Sequence, residues 1–185
     1  NRTFNPYTYE NEVDHYQQDH YQLIFSQELR SKWNLNINGH YTRGRGYFEQ
    51  FREDDALADY NLDDVMIGGD TITSSDFLRR RWLDNHFYGF TFGLNYSNMK
   101  RFSATIGGGW NQYVGDHYGE VIWAEYASNS MIGHRYYDNS AKKNDVNLYG
   151  KVNYFVHPKV SLYADIQLRK IDHTYEGPYQ NDDST

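Results

Sequence analysis

The chain has 185 residues, enough for one domain with a sizeable core, and its net charge of −7 argues against nucleic acid as a partner. Tyrosine contributes 19 residues while the hydrophobic total is only 38%, a balance that favours β structure and excludes disorder. Cysteine is absent, which excludes a disulfide scaffold, and no apolar run approaches the ~18 residues of a transmembrane helix.

The first predicted element is a long hairpin. Residues 1–15 are polar and aperiodic and are predicted to be a loop. Strands are then predicted over 16–30 and 33–45, joined by a tight polar turn. In the second strand every other residue is apolar or small, which is typical of a ribbon with one apolar and one polar face. These positions are Trp33, Leu35, Ile37, Gly39 and Tyr41.

Four more strands show the same alternation. Their predicted bounds are 79–96, 101–113, 143–155 and 160–172. Two acidic or irregular segments, 46–78 and 114–142, are predicted to be long loops, and loops of that length are usually functional. The six strands therefore form three hairpins, with short turns at one end and long loops at the other.

The strand length and the position of the aromatic rings favour a membrane barrel. Crossing hydrocarbon takes about 9–11 residues of a tilted strand, and soluble strands average about 5–6. Aromatic residues gather at both ends of the apolar face, as at the two interfaces of a bilayer. Six strands cannot enclose a polar lumen. The predicted fold class is therefore all-β, a contiguous slice of a transmembrane β-barrel, although a soluble sandwich would also alternate.

Several short strings resemble a known family. Residues 42–49, 79–85, 107–111 and 116–123 (TRGRGYFE, RRRWLDN, GGGWN and DHYGEVIW) are similar to the barrel of TonB-dependent outer-membrane receptors from the Bacteroidetes. The resemblance covers about residues 16–175. It implies a barrel of about 22 strands, an N-terminal plug domain and a TonB box that couples uptake to inner-membrane energy. No plug domain is expected within these 185 residues, so the chain alone is not expected to transport anything.

Four residues are candidates for ligand contact. Arg43 and Arg45 are predicted to face the lumen at the outer end of a strand. Trp123 and Tyr126 would contact ligand if their loop folds into the vestibule, and otherwise would pack that loop. The acidic segment from Glu53 to Asp76 could ligate Ca²⁺, but it lacks EF-hand spacing, so a solvated loop is preferred.

The sequence predicts no enzyme and no cofactor or metal site, since no nucleophile–base pair and no zinc motif is present. The leading hypothesis is part of an outer-membrane receptor of a Gram-negative bacterium that imports a nutrient such as a siderophore, cobalamin, haem or a glycan. A soluble β-rich binding domain and a structural barrel without transport are the alternatives. Expected partners are outer-membrane lipid and, in the intact protein, a plug domain, TonB and a nutrient. An isolated slice is expected to self-associate.

Overall fold

A computed structural model describes residues 13–98 and 101–177. Its strands are β1 (Asp14–Arg30), β2 (Trp33–Ala56), β3 (Val65–Ile67), β4 (Asp70–Ile72), β5 (Ser74–Ser97), β6 (Phe102–Ala124), β7 (His134–His157) and β8 (Val160–Glu176). A 3-10 turn, Leu57–Tyr60, follows β2. Among the described residues, no helix is long and apolar enough to cross a membrane.

Six strands form a single antiparallel sheet in the order β1-β2-β5-β6-β7-β8, and β3 pairs with β4 in a small separate hairpin. The neighbours in the large sheet are consecutive along the chain apart from that insertion. The prediction of an all-β fold with long antiparallel strands in three hairpins is confirmed. The sheet is open, with β1 and β8 at its edges, which is consistent with a slice of a barrel.

The prediction that 46–78 and 114–142 are long loops was wrong. The central strands run through most of both segments, so the connections shrink to 57–73 and 125–133. One of the acidic residues belongs to a cross-strand pair: Glu49 lies opposite Arg80, and their side chains form an ion pair at 2.7 Å. Paired charges stabilise neighbouring strands, so polarity here did not mark a loop. The loop predicted over 1–15 also ends early, since β1 begins at Asp14; residues 1–12 lie outside the described part.

The register collects the apolar positions of all six strands on one face. Each row across the sheet joins residues that lie directly opposite one another. One such row is Leu35, Leu94, Ile106, Gly150 and Ile166, and the next is Ile37, Phe92, Gly108, Leu148 and Leu168. Many side chains on this face remain open to solvent: Leu23 is 75% exposed and Leu168 is 66% exposed. In the described part of the chain, no second layer covers this apolar face.

The opposite face is polar and rich in glycine. Asn34, Asn36 and Asn38 line it on β2, and Asn36 accepts a hydrogen bond from Ser26 at 2.8 Å. Tyrosine rings lie over several of its glycines. The Tyr149 ring covers Gly107, where a Cβ would come within 2.6 Å of the ring. The polar face is therefore built so that aromatic rings can lie flat along the backbone.

The buried core lies at one end of the sheet, away from the short turns. There the segment after β2 folds back over the polar face, on which the register places Phe77 and Val121. We call this packed unit the cap. Its buried side chains are Leu57, Tyr60, Leu62, Phe77, Val121, Tyr136 and Tyr137.

Candidate functional site

Arg43 and Arg45 lie on the apolar side of the sheet, so the prediction that they face the lumen was wrong. Alternation runs without a register shift from Trp33 through Tyr41 to these two arginines. They therefore share the face of the apolar residues and lie just beyond the apolar band. Arg43 forms an ion pair with Asp84 across the strand, and Arg45 approaches the same carboxylate at 3.5 Å.

An aromatic row lies next to this ion pair on the same face. Tyr47 and Trp82 are 4.6 Å apart between ring centroids, and Trp82 stacks on Tyr118 at 5.8 Å. Guanidinium groups cover the row: those of Arg45, Arg80 and Arg135 lie 5.3 Å from Trp82, 4.3 Å from Tyr47 and 3.8 Å from Tyr118. Such cation–π contacts fix both the rings and the charges. The strand ends therefore carry a belt of arginines and aromatic rings beyond the apolar band.

A cavity of about 540 Å³ opens in this belt between β1 and β2. It has arginine, aspartate, glutamine and aromatic groups in its wall, so it offers charges of both signs and a flat ring surface. Its lining residues are His15, Gln17, Asp19, Arg43, Arg45, Gly46, Tyr47 and Trp82.

The cap forms a second polar–aromatic cluster on the other face at the same end. The Tyr60 ring stacks on Phe77 at 4.1 Å and its hydroxyl donates a hydrogen bond to Asp55 at 2.6 Å. Arg79 donates to Gln50 at 3.0 Å and reaches the Tyr60 hydroxyl at 3.4 Å. The backbone is tied down as well, since Asn61 donates to the carbonyl of Tyr136 at 2.7 Å. The cap is thus held over the polar face by packing and by hydrogen bonds.

Burial and hydrogen bonds determine which of the tyrosine and aspartate side chains in and beside the cap are ionised. Burial and the hydrogen bond to Asp55 raise the pKa of Tyr60 well above its ordinary value. Burial raises the pKa of Tyr136 to about 12. For Asp55 burial alone would raise the pKa, but hydrogen bonds from Arg52 and Tyr60 outweigh it and hold the pKa below its usual 3.8. Both phenols are therefore neutral and Asp55 is charged at neutral pH.

Trp123 and Tyr126 lie at the end of β6, apart from Arg43 and Arg45. Trp123 pairs with Leu78, while Arg45 pairs with Asp84, six residues further along β5. At about 3.4 Å per residue, this separates the two pairs of candidates by about 20 Å. The Trp123 side chain is exposed, and the backbone of Tyr126 donates to Ser75 at 3.0 Å. The structure does not bring the four candidate residues into one site.

Sequence reasoning missed the buried tyrosines of the cap and the apolar tips beside it. Met66, in β3, and Ile132, in the 125–133 connection, are both exposed, the latter by 91%. The two connections touch, since the backbone of Asp63 donates to Asn129 at 3.3 Å. Apolar residues exposed on loops are a signal for binding. The sequence does show Met66 and Ile132 within the irregular segments 46–78 and 114–142, but it does not show that they are exposed.

The acidic segment carries its own partners. Asp55 forms an ion pair with Arg52 at 2.9 Å, and Asp54 accepts a hydrogen bond from Ser74. Within residues 13–98 and 101–177, no group of three or more histidine, aspartate or glutamate side chains could hold a metal ion. The arrangement presents hydrogen-bond donors, phenols and rings, which suits binding of a ligand.

No model of a known protein family matches the chain, and no curated protein sequence is significantly similar to it. The fold itself defines the class: an all-β chain whose long antiparallel strands form one open, two-faced sheet.

Proposed function

We propose that the chain is part of the barrel of a TonB-dependent outer-membrane receptor that binds and imports a nutrient. The proposal rests on the family resemblance of the sequence together with the two-faced sheet. On this view the apolar face contacts lipid, the polar face lines a hydrated lumen, and the cap and belt lie at the cell-surface end.

The uncovered apolar face is the observation that carries the proposal. In a soluble sandwich this face would pack against a second sheet. Here large apolar side chains in the middle of each of the six long strands lie open instead, and the packed core is confined to one end. On β2 the apolar positions run from Trp33 to Tyr41, which matches the roughly 9–11 residues that a tilted strand needs to cross hydrocarbon.

The residues on the polar face agree with the proposal of a wide, hydrated lumen. At the height of the apolar band it carries amides and hydroxyls on the central strands, and ion-paired charges on β7 and β8, where Arg169 bonds Asp145 at 2.9 Å. Paired polar groups of this kind suit a wall in contact with water or with a polar domain inside the barrel. At the far end of the same face, the cap narrows the lumen and presents exposed apolar tips to a ligand.

Paired charge insertions on β2 test the membrane proposal. Ile37→Arg places a charge at the middle of the apolar face, whereas Asn38→Arg places the same charge one residue away on the polar face. The first should cost about 2–4 kcal/mol of stability in a bilayer, and the second close to nothing. Unfolding by urea of the chain reconstituted in vesicles measures both. Equal effects of the two substitutions would contradict a lipid-facing sheet and would favour the soluble binding domain.

Growth on imported nutrients distinguishes a transport receptor from a structural barrel. Cells that lack the protein should lose growth on one of the nutrient classes, namely iron chelates, cobalamin, haem or glycans. The loss should be reproduced by disabling TonB, since import depends on inner-membrane energy. Unchanged growth on every class, with the protein still found in the outer membrane, would favour a barrel without transport.

A further inference from the structure

We propose that the cavity between β1 and β2 binds a phosphorylated, acylated amino-sugar headgroup, the chemistry of lipid A in the cell-surface leaflet of an outer membrane. This rests on the proposed function, because it takes the apolar face as the lipid-facing side and the cap as the cell-surface end. The side chains that line the cavity lie on that apolar face, past the end of the apolar band. In the membrane they would meet the headgroups of the surrounding lipid.

The height of the cavity favours a large headgroup. Its lining on β2 begins two residues beyond Tyr41, where the apolar band ends, and continues to Tyr47. Six residues of strand span about 20 Å, or about 14 Å along the bilayer normal at a tilt of about 45°. The headgroups of a phospholipid layer add only about 5–8 Å to each side of the hydrocarbon. A headgroup built of sugars extends further and reaches the whole cavity.

Arg45 is the cation that is available to a phosphate. Other arginines of the belt hold a carboxylate closely, Arg80 at 2.7 Å and Arg135 at 2.8 Å. Arg45 approaches Asp84 only at 3.5 Å, and Arg43 already binds that carboxylate. The Arg45 side chain is 57% exposed. Its planar guanidinium can therefore present paired N–H donors, which is the geometry that phosphate accepts.

The indole of Trp82 positions this guanidinium in advance. The guanidinium carbon of Arg45 lies 5.3 Å from the centroid of the ring. The ring itself is fixed, since its N–H donates a hydrogen bond to Glu120 at 2.9 Å. A charge that is already held in place loses less conformational entropy when a ligand binds. Indole rings also favour the interface between hydrocarbon and water, where a headgroup meets its acyl chains.

The opposite wall, on β1, accepts hydrogen bonds. The amide of Gln17 donates to both carboxylate oxygens of Asp19 at 3.2 Å. A carboxylate accepts about four hydrogen bonds, so Asp19 can also accept from a hydroxyl or an amide N–H. An acylated amino sugar carries both donors beside its phosphate, whereas a bare phosphate would be repelled by Asp19. At about 540 Å³, the cavity lies within the size range of small-molecule sites.

Fluorescence of Trp82 tests the proposal locally. Trp33, Trp110 and Trp123 are replaced by phenylalanine so that Trp82 alone reports. The chain is reconstituted in vesicles of phosphatidylcholine that is brominated on its acyl chains near the headgroup, which quenches an indole at the interface. Rising fractions of unbrominated lipid A then displace the quencher from the cavity, and the recovery of fluorescence gives the relative affinity.

Lipid A stripped of its phosphates by a phosphatase is the matched probe. It keeps the same sugars and acyl chains, so the comparison isolates the phosphate. EDTA is present throughout, so that divalent cations do not bridge phosphates to carboxylates. We expect phosphorylated lipid A to restore fluorescence at an about tenfold lower fraction than the dephosphorylated form, the ratio that one charge-assisted hydrogen bond provides.

Three variants assign the effect to the cavity. Arg45→Gln should bring the ratio of the two lipids close to one, because it removes the group that binds the phosphate. Asp19→Ala should weaken both lipids several-fold and keep their ratio, because this side chain contacts the sugar. Arg101→Gln removes the same charge beside the short turns and should change neither quantity. Circular dichroism of every variant checks that the strands have formed.

The other outcomes overturn defined parts of the proposal. Equal recovery with both lipids, after quenching by the brominated lipid, would eliminate the phosphate site and leave the lipid-facing sheet intact. An equal fall of the ratio in the Arg101 variant would assign it to surface charge in general. Soluble glucosamine 1-phosphate that competes at a similar concentration would identify a site for a free sugar phosphate. Absence of any quenching, with strands formed, would contradict the membrane proposal itself.

Discussion

Tyr60 joins the two kinds of interaction that hold the cap. Its ring is buried against Phe77 and Tyr136, while its hydroxyl donates to Asp55. A buried phenol needs such an acceptor, because leaving it unpaired would cost about 1–3 kcal/mol. The same hydrogen bond helps to keep Asp55 ionised. Tyr60 therefore links the apolar packing of the cap to its hydrogen bonding, since its ring and its hydroxyl each have a partner there.

Truncation of Phe77 should loosen the cap. Phe77→Ala leaves a cavity beneath the Tyr60 ring and should cost about 3–5 kcal/mol of local stability. Hydrogen exchange measures the loss at the Leu57 amide, which donates to Thr73 at 2.9 Å. Phe155→Ala, at an exposed position near the short turns, is the control and should leave that protection unchanged. Unchanged protection in the Phe77 variant would show that packing does not hold the cap.

The cap should also loosen in acid. Because the folded-state pKa of Asp55 is lowered, its stabilising contribution is present above the ordinary value of 3.8 and is lost as the pH falls below that value. The near-ultraviolet circular dichroism of the tyrosines should therefore weaken as the pH falls below about 4. Asp55→Asn should weaken the signal at neutral pH and flatten its dependence in that window. An identical pH profile in the variant would assign the change to other carboxyl groups.

At the scale of the strand, glycine and tyrosine positions are matched across the polar face. The Tyr149 ring lies over Gly107, and its hydroxyl also approaches Gly93 on the next strand, where a Cβ would lie 3.8 Å from that oxygen. Glycine in a strand interior is otherwise unfavourable, and at Gly107 the close approach of the Tyr149 ring accounts for its presence. These pairs let a large ring lie along the sheet without lengthening the distance between strands.

Two alanine substitutions distinguish covered from open glycines. At Gly107 a Cβ would come within 2.6 Å of the Tyr149 ring and 2.7 Å of the Phe92 carbonyl, so Gly107→Ala should destabilise the sheet by about 1–3 kcal/mol. At Gly39 a Cβ meets nothing within 4 Å, and Gly39→Ala should be neutral or stabilise by up to about 1 kcal/mol. Urea unfolding measures both. Equal effects would indicate that the ring over Gly107 is free to move aside.

The alternation of apolar residues predicted the six strands, their pairing into hairpins and the turn positions. It did not predict where the strands end, because beyond the apolar band both faces mix charged with aromatic or apolar residues and the period disappears. The cross-strand pair of Glu49 with Arg80 continues the strands there, and a pairing between distant residues is invisible in a local pattern. Length was therefore underestimated where the stabilising contacts changed from apolar to charged.

The candidate site was less predictable than the fold. Counting along β2 from Trp33 in steps of two reaches Arg43 and Arg45, so their true face was already contained in the alternation. The cap could not be read from the alternation, because Tyr60 and Tyr136 meet only when the ends of β2 and β7 are brought together in the folded sheet. Residues separated by this much sequence carry no shared local signal.

At the scale of the whole molecule, the two edge strands control association. Within residues 13–98 and 101–177, no strand pairs with the outer edge of β1 or of β8, and both edges lie beside an uncovered apolar face. Such edges pair readily with another chain. We expect the isolated chain to form oligomers in buffer without detergent, which light scattering would show. A dilute monomer under those conditions would count against the membrane proposal.

The confinement of the buried core to the cap has a thermodynamic consequence. Unfolding raises heat capacity in proportion to the apolar area newly exposed to water, and the denaturant slope follows the same area. Since the apolar face is open in the folded sheet, dissociated chains in water have little further apolar area to expose. Their unfolding should therefore be broad, with a heat-capacity step far below that of a globular protein of equal length.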